Sequence, residues 1–308
     1  MIRPPALSQG ARVALVAPAG PLAPEAVDAA VARVEAWGWT PVLGSNARQR
    51  TGYLAGTDAQ RAADFDEALR SADNDAIWCL RGGYGTMRII DRLDWGAISA
   101  RPRPLIGFSD NTALHLAVQR AGVVSLHGPH PAAPELPQFS VDHLLRTLTG
   151  THPAGPLPFP EGEANRGETI RGGRAEGPLV GGNLSIIAAT LGTPYAIRAE
   201  GCILFLEEVG EPVYRIDRLL SHLRLAGIFR KVAGVLIGAF SECPDGADDH
   251  LPSPAEVLRD RLQDLGIPAA MGFPFGHITH SWTLPLGVAA RLDADAGTLE
   301  LLEPAVAR

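Results

Sequence analysis

Short apolar runs alternate with amphipathic stretches along the first half of the chain. Residues 12–17 (Arg-Val-Ala-Leu-Val-Ala) read as a buried strand closed by Pro18-Ala19-Gly20. Residues 24–37 carry Val27, Ala30, Val31 and Val34 at helical spacing, with Pro24 in the first turn. A second strand candidate follows at 40–43. Residues 58–71 form an amphipathic helix pattern with Ala62, Phe65 and Leu69 on one side, and 76–80 a third strand. Residues 105–108 are apolar, 111–121 place Leu114 and Val118 on one helical face, and 123–126 are a further strand. Strands and helices alternating at this spacing predict an α/β domain: a parallel sheet with helices on both faces.

The pattern changes after residue 130. Residues 131–177 are rich in proline, glycine and charge, with one helix candidate at 141–148. This predicts a first domain over 1–150, a linker over 151–172 and a second domain over 173–308. In the second half, 202–206 are a strand running into Glu207-Glu208, and 232–240 are another. Helix patterns cover 185–191, 215–225 and 253–265, the last with Pro254 at its start and Gly266 past its end. Residues 289–294 and 298–302 predict a closing hairpin through Asp295-Ala296-Gly297.

Composition narrows the function classes. A net charge of −7 without a basic tract argues against nucleic-acid binding. The longest apolar runs, such as 232–240, are too short to span a bilayer. Met1-Ile2-Arg3-Pro4-Pro5 lacks the apolar core of a secretory signal, so a cytoplasmic location is expected. Cys79, Cys202 and Cys243 fit neither a disulfide framework nor a zinc motif and read as free thiols.

Two glycine-containing junctions carry candidate chemistry. In Gly107-Phe108-Ser109-Asp110-Asn111 an apolar run passes into a helix with no room for a loop, which would hold Ser109 exposed at the sheet's carboxyl end. This has the form of a nucleophile elbow, with Asn111 where a second glycine is usual; the plainer alternative is a helix cap. Arg81-Gly82-Gly83-Tyr84-Gly85 follows the third strand, either as a tight turn before a helix over 86–93 or as an anion or oxyanion cradle on the same edge as Ser109. A serine nucleophile needs a base and a group to orient it. Of nine histidines, His115, His143 and His222 fall in helix patterns, as surface or packing residues, and His152 and His250 in polar loops. His127 and His130 end a strand. His277, after an apolar run and a glycine, is the first choice of base, with His280 second. Glu207 leaves a fully apolar strand and is the candidate orienter; Glu208 and Glu211 read as strand-end salt-bridge partners. The chain order Ser…Glu…His is that of α/β hydrolases.

Taken together, Gly107-Phe108-Ser109-Asp110, the 81–85 turn, Gly181-Gly182-Asn183-Leu184, Leu206-Glu207-Glu208 followed by Tyr214-Arg215-Ile216-Asp217-Arg218, and Gly276-His277 with Pro285-Leu286-Gly287 resemble the LD-carboxypeptidase family. That family includes the murein tetrapeptide carboxypeptidases and the microcin C immunity proteins. The resemblance implies a flavodoxin-like N-terminal domain and a smaller β-rich, swivelling-barrel-like C-terminal domain. It implies Ser109 as nucleophile, Glu207 as orienter and His277 as base, with no metal or other cofactor. The Asp110 N–H and a glycine N–H from Gly82 or Gly83 would then stabilise the oxyanion, and Arg81 is a candidate for the leaving residue's carboxylate. The implied substrate is a muropeptide losing its terminal D-alanine, and the implied assembly a cytoplasmic homodimer. Within the same fold, the alternative is hydrolysis of an aminoacyl-nucleotide conjugate, for which Trp282 could stack on the base or line a peptide pocket. A zinc site from His127, His130, His277, His280 and Glu207, or a non-enzymatic ligand holder, are the readings from other classes.

Overall fold

The computed structural model describes residues 1–162, 167–244 and 251–308; His250 lies outside them. In chain order the strands are β1 (Arg12–Val16), β2 (Thr40–Leu43), β3 (Ala76–Cys79), β4 (Leu105–Gly107), β5 (Ser125–His127), β6 (Gly155–Pro156), β7 (Glu168–Arg171), β8 (Arg174–Asn183), β9 (Ile203–Val209), β10 (Gly234–Ser241), β11 (Ala269–Met271), β12 (Leu284–Leu286), β13 (Ala289–Asp293) and β14 (Thr298–Leu301). The helices are α1 (Pro24–Ala36), α2 (Asp58–Arg70), α3 (Trp95–Ala100), α4 (Thr112–Arg120), α5 (Gln138–Thr149), α6 (Leu184–Thr190), α7 (Val213–Leu225) and α8 (Pro254–Leu262). The chain forms two compact units.

The first unit comprises Met1–His152 with Thr283–Gly287 and Pro304–Arg308. Its sheet runs β12-β5-β4-β3-β1-β2. The five strands β2-β1-β3-β4-β5 are parallel, in the strand order of a flavodoxin-like fold, as the sequence led us to expect. β3, β4 and β5 are buried throughout, because helices cover both faces of a parallel sheet. One face packs Ile77 and Leu105 against Phe65 and Leu69 of α2 and Leu114 and Val118 of α4. β12 adds antiparallel to β5, with Pro285 opposite Leu126; at a sheet edge the missing proline N–H leaves no ladder bond unmade.

The helix predicted over 86–93 is instead two 3-10 turns, Thr86–Arg88 and Ile90–Arg92. Their backbone bonds close on the third residue back, from the Arg88 N–H to Gly85, from Ile89 to Thr86 and from Arg92 to Ile89. The short α3 was not anticipated; Asp94 caps it by accepting from the Gly96 N–H.

The second unit comprises Pro153–Trp282 and Val288–Glu303. Its mixed sheet runs β6-β14-β13-β8-β9-β10-β11-β7. β8, β9, β10 and β11 are parallel, and antiparallel neighbours flank them. The predicted hairpin is β13–β14. Residues 151–172 contribute β6 and β7 to this sheet. Trp282 is wholly buried here: its Nε1 donates to the Pro158 carbonyl at 2.7 Å, and its ring packs on Phe159 and Phe273. It is a core residue, so it provides neither the stacking platform nor the pocket wall considered for it.

His115 is a packing residue. From α4 its Nε2 meets the Gly107 carbonyl at 2.8 Å and its Nδ1 the Ser125 hydroxyl at 2.9 Å, tying α4 to β4 and β5. Burial pushes its pKa down to about 4, and that of His143 likewise to about 4. An unfolded histidine titrates near 6.5, so the unfolded chain takes up protons first as pH falls. This stability is therefore complete above pH 6.5 and lost progressively towards pH 4. The raised carboxyls of Asp110 and Glu208 act in the opposite sense, favouring the fold as they protonate. Between pH 7.5 and pH 5 the His115 contribution, read from urea unfolding, is expected to fall by about 2 kcal/mol. His115→Gln is expected to flatten that dependence; an unaltered pH slope in the variant would contradict the assignment.

Candidate active site

In the first unit the backbone leaves β4 at Gly107, passes through an extended Phe108 and turns sharply at Ser109, whose φ is +62°. That is the left-handed region, which costs a residue with a Cβ roughly 1–2 kcal/mol. A 3-10 turn, Ser109–Asn111, then leads into α4. The strain is held by specific contacts. Asp110 Oδ2 accepts from the Thr86 N–H at 2.9 Å, and Thr86 Oγ1 donates to the Asp110 carbonyl at 2.7 Å. Burial pushes the Asp110 carboxyl up, while the bonds from Thr86 work against that rise. Asn111, the departure from the usual elbow, is buried, with its Nδ2 2.9 Å from His130 Nε2 and 3.3 Å from the Arg81 carbonyl. This Asn111–His130 pair was not foreseen; its only trace in the sequence was an asparagine in a glycine's place.

The 81–85 turn packs directly on the serine. A Cβ at Gly82 would lie 2.8 Å from Ser109 Cβ and 3.0 Å from its Oγ, so only glycine fits. Among the described residues, the N–H groups of Gly82, Gly83 and Asp110 donate to no protein acceptor. Gly82 and the Asp110 N–H stand near the serine hydroxyl at the amino end of α4, where partial positive charge accumulates. Arg81 is exposed and donates from Nη1 to the Pro21 carbonyl at 2.8 Å.

In the second unit β9 carries Ile203, Leu204, Phe205 and Leu206 into the core and then Glu207, which is fully buried. Its Oε2 lies 2.7 Å from His277 Nδ1, in the loop after β11. That contact fixes Nδ1 as the protonated nitrogen and leaves Nε2 as the basic one. Gly276, at φ +106°, makes the approach possible: a Cβ there would sit 2.8 Å from Glu207 Cβ. The glycine before the histidine was the visible signal. Glu208 differs from its neighbour. Its carboxylate accepts from Asn183 Nδ2, the Ser185 N–H and the Val209 N–H, so it holds the start of α6 through neutral donors rather than a salt bridge. Glu211 does pair with Arg215, at 2.8 Å.

His280 is half-buried and lines, with His277, Phe273 and Ile278, a pocket of about 570 Å³ in this unit. His127 and His130 flank the Phe108 ring in the first unit. Among the described residues no group of three or more His, Cys, Asp or Glu side chains is disposed to hold a metal ion. The three cysteines are free thiols; burial pushes Cys79 up, and Cys202 up to about 11. Among the described residues no helix is long and apolar enough to cross a membrane.

Comparison with known proteins bears on both units. Residues 13–128 match the LD-carboxypeptidase N-terminal domain, and residues 176–292 the LD-carboxypeptidase C-terminal domain. The chain belongs to the LD-carboxypeptidase family. It is therefore an enzyme, a hydrolase of the carboxypeptidase type. The murein tetrapeptide carboxypeptidase of Pseudomonas aeruginosa is 35% identical over 92% of this chain and 94% of its own length. Among solved structures, the muramoyltetrapeptide carboxypeptidase of Oxalobacter formigenes superposes with a TM-score of 0.83 at 29% identity, covering 94% of this chain and 97% of that one. The microcin immunity protein MccF, in complex with glutamyl sulfamoyl guanosine, superposes with a TM-score of 0.90 at 25% identity over the whole of both chains. Ser109 falls within the first matched region, and Glu207 and His277 within the second.

Proposed function

We propose that this LD-carboxypeptidase removes the terminal D-alanine from murein tetrapeptides, with Ser109, His277 and Glu207 acting as one relay. The left-handed backbone at Ser109 carries the mechanistic part of the reading, since strain of this kind at a strand end presents a hydroxyl. The oriented imidazole of His277 supplies the matching base. His277 Nε2 takes the Ser109 proton as Oγ attacks the carbonyl carbon. The N–H groups of Asp110 and of Gly82 or Gly83 receive the oxyanion. When the C–N bond breaks, the imidazolium returns that proton to the departing amine, and alanine leaves. Water, deprotonated by the same imidazole, then cleaves the acyl–serine ester. Glu207 stays ionised throughout and stabilises the imidazolium.

The substrate is drawn from the Pseudomonas and Oxalobacter relatives, whose names state the tetrapeptide. A role in cytoplasmic cell-wall recycling, as a homodimer, goes with the same family reading. Full-length similarity to MccF favours a second reading, hydrolysis of aminoacyl-nucleotide conjugates. Against it, Trp282 is buried and offers no face to a base. Mass spectrometry of purified murein tetrapeptide incubated with the protein is expected to register loss of one alanine. An untouched tetrapeptide beside a cleaved aminoacyl sulfamoyl nucleoside would instead establish the second reading.

A further inference from the structure

Beside the nucleophile turn the first unit holds a second feature, a pocket of about 660 Å³ walled by Pro21, Leu22, Arg50, Tyr53, Arg81 and Tyr84. Two observations mark it as built for a ligand. Tyr53 and Tyr84 are 64% and 50% exposed, yet their rings meet at 5.8 Å, forming an aromatic shelf open to solvent. Both rings stand on pinned backbone. Tyr53 caps a turn closed by Thr51 and Leu54 through paired bonds of 2.9 and 3.1 Å, and the Ala55 N–H ties that turn to Ala19. Leu54 is buried against Gly85, where a Cβ would come within 2.7 Å of it. The shelf is thus held in place before any ligand arrives, which keeps the ordering cost of binding low.

The second observation is charge. Neighbouring arginines are neutralised: Arg48 by Asp28, and Arg61 and Arg88 by Asp58. Arg50 and Arg81 are not. Among the described residues no carboxylate lies within 4 Å of either guanidinium, in a chain whose net charge is −7. Arg81 spends one nitrogen on the Pro21 carbonyl and keeps its other donors. Two unneutralised guanidiniums beside two exposed phenol rings suit a peptide that carries carboxylates.

We propose that this pocket grips the acidic acyl portion of the peptide substrate, the part that remains after the terminal residue leaves. Arg50 and Arg81 take its carboxylates, and the tyrosine shelf covers its chain. The proposal rests on the peptidase reading and assigns Arg50, Tyr53 and Tyr84 a part in specificity. The pocket shares the 81–85 turn with the serine, through Gly83 on one side and Gly82 on the other. Its volume is that of a ligand pocket, far more than a single alanine requires.

The test uses the tripeptide left after release, titrated calorimetrically into the parent protein and Arg50→Gln, as the free acid and with its side carboxylates amidated. This binding needs no catalysis. The parent is expected to bind the acid about tenfold more tightly than the amide. Arg50→Gln is expected to lose that preference, with its melting temperature unchanged because the residue is exposed. In turnover of the tetrapeptide, Arg50→Gln and Tyr53→Ala are expected to raise KM about tenfold with kcat within twofold. Parental affinity for the acid in Arg50→Gln, an undiminished preference for it, or no tripeptide binding by the parent would each overturn the proposal. Failure of the parent to release alanine, with tripeptide binding as expected, would overturn the peptidase reading alone.

Discussion

Ser109→Ala is expected to abolish release of the terminal residue, lowering kcat by about 10⁶-fold, as when a serine hydrolase loses its nucleophile. Without Oγ no acyl-enzyme can form, and the oxyanion donors alone give a small residual rate. Alanine inherits the left-handed backbone that Ser109 adopts at φ +62°, so the variant should melt with the parent. Ser109→Gly separates chemistry from strain. Glycine tolerates positive φ without penalty, so this variant should be equally inactive but more stable, by about 1 kcal/mol. Alanine release followed by mass spectrometry and unfolding followed by calorimetry read the two effects separately. Turnover at the parental rate in either variant would remove the serine from the mechanism. A glycine variant no more stable than the alanine one would mean that the turn stores no strain.

That strain also explains why the neighbourhood of Ser109 is so tightly built. Asp110 and Thr86 exchange two hydrogen bonds across the gap between the third and fourth strands, Asn111 reaches His130, and Gly82 leaves room for the serine and nothing larger. Each contact constrains a backbone that would otherwise relax into the preferred right-handed region.

The strands of the first unit were legible because a parallel sheet covered on both faces demands uninterrupted apolar runs, and residues 12–17, 76–80 and 105–108 supply them. β12 was not, since three residues containing a proline carry no periodicity; their place beside β5 comes from tertiary pairing alone. β6 and β7 were hidden for a similar reason: two and four residues of largely exposed polar chain look like linker until a neighbour pairs with them. Glu207 and His277 stood out because a carboxylate ending an apolar strand and a histidine after a glycine each need a partner. Their meeting across seventy residues is a property of the fold. The separate duty of Glu208 was invisible, because adjacent glutamates look alike until alternation along the strand sends them to opposite sides.

Glu207→Gln is expected to lower kcat by about 10⁴-fold, while KM and the melting temperature barely change. The glutamine amide can donate to His277 Nδ1, which moves the imidazole proton to Nε2 and removes the lone pair that should accept from a serine hydroxyl. The imidazolium formed in the transition state would also lose its neighbouring negative charge. Stability should not suffer, because Glu207 is wholly buried and no group among the described residues donates to its Oε1. Removing an incompletely solvated charge costs the fold little and can favour it. Glu207→Asp keeps the charge but withdraws it by one methylene, so it should retain more activity than the glutamine variant. Combining Glu207→Gln with Ser109→Ala should cost no more than Ser109→Ala alone, since groups that act as a unit fail as a unit. Steady-state kinetics on the tetrapeptide decide the matter. A Glu207→Gln enzyme within tenfold of the parent would release Glu207 from the orienting role, and a further loss in the double variant would mean that the two residues act independently.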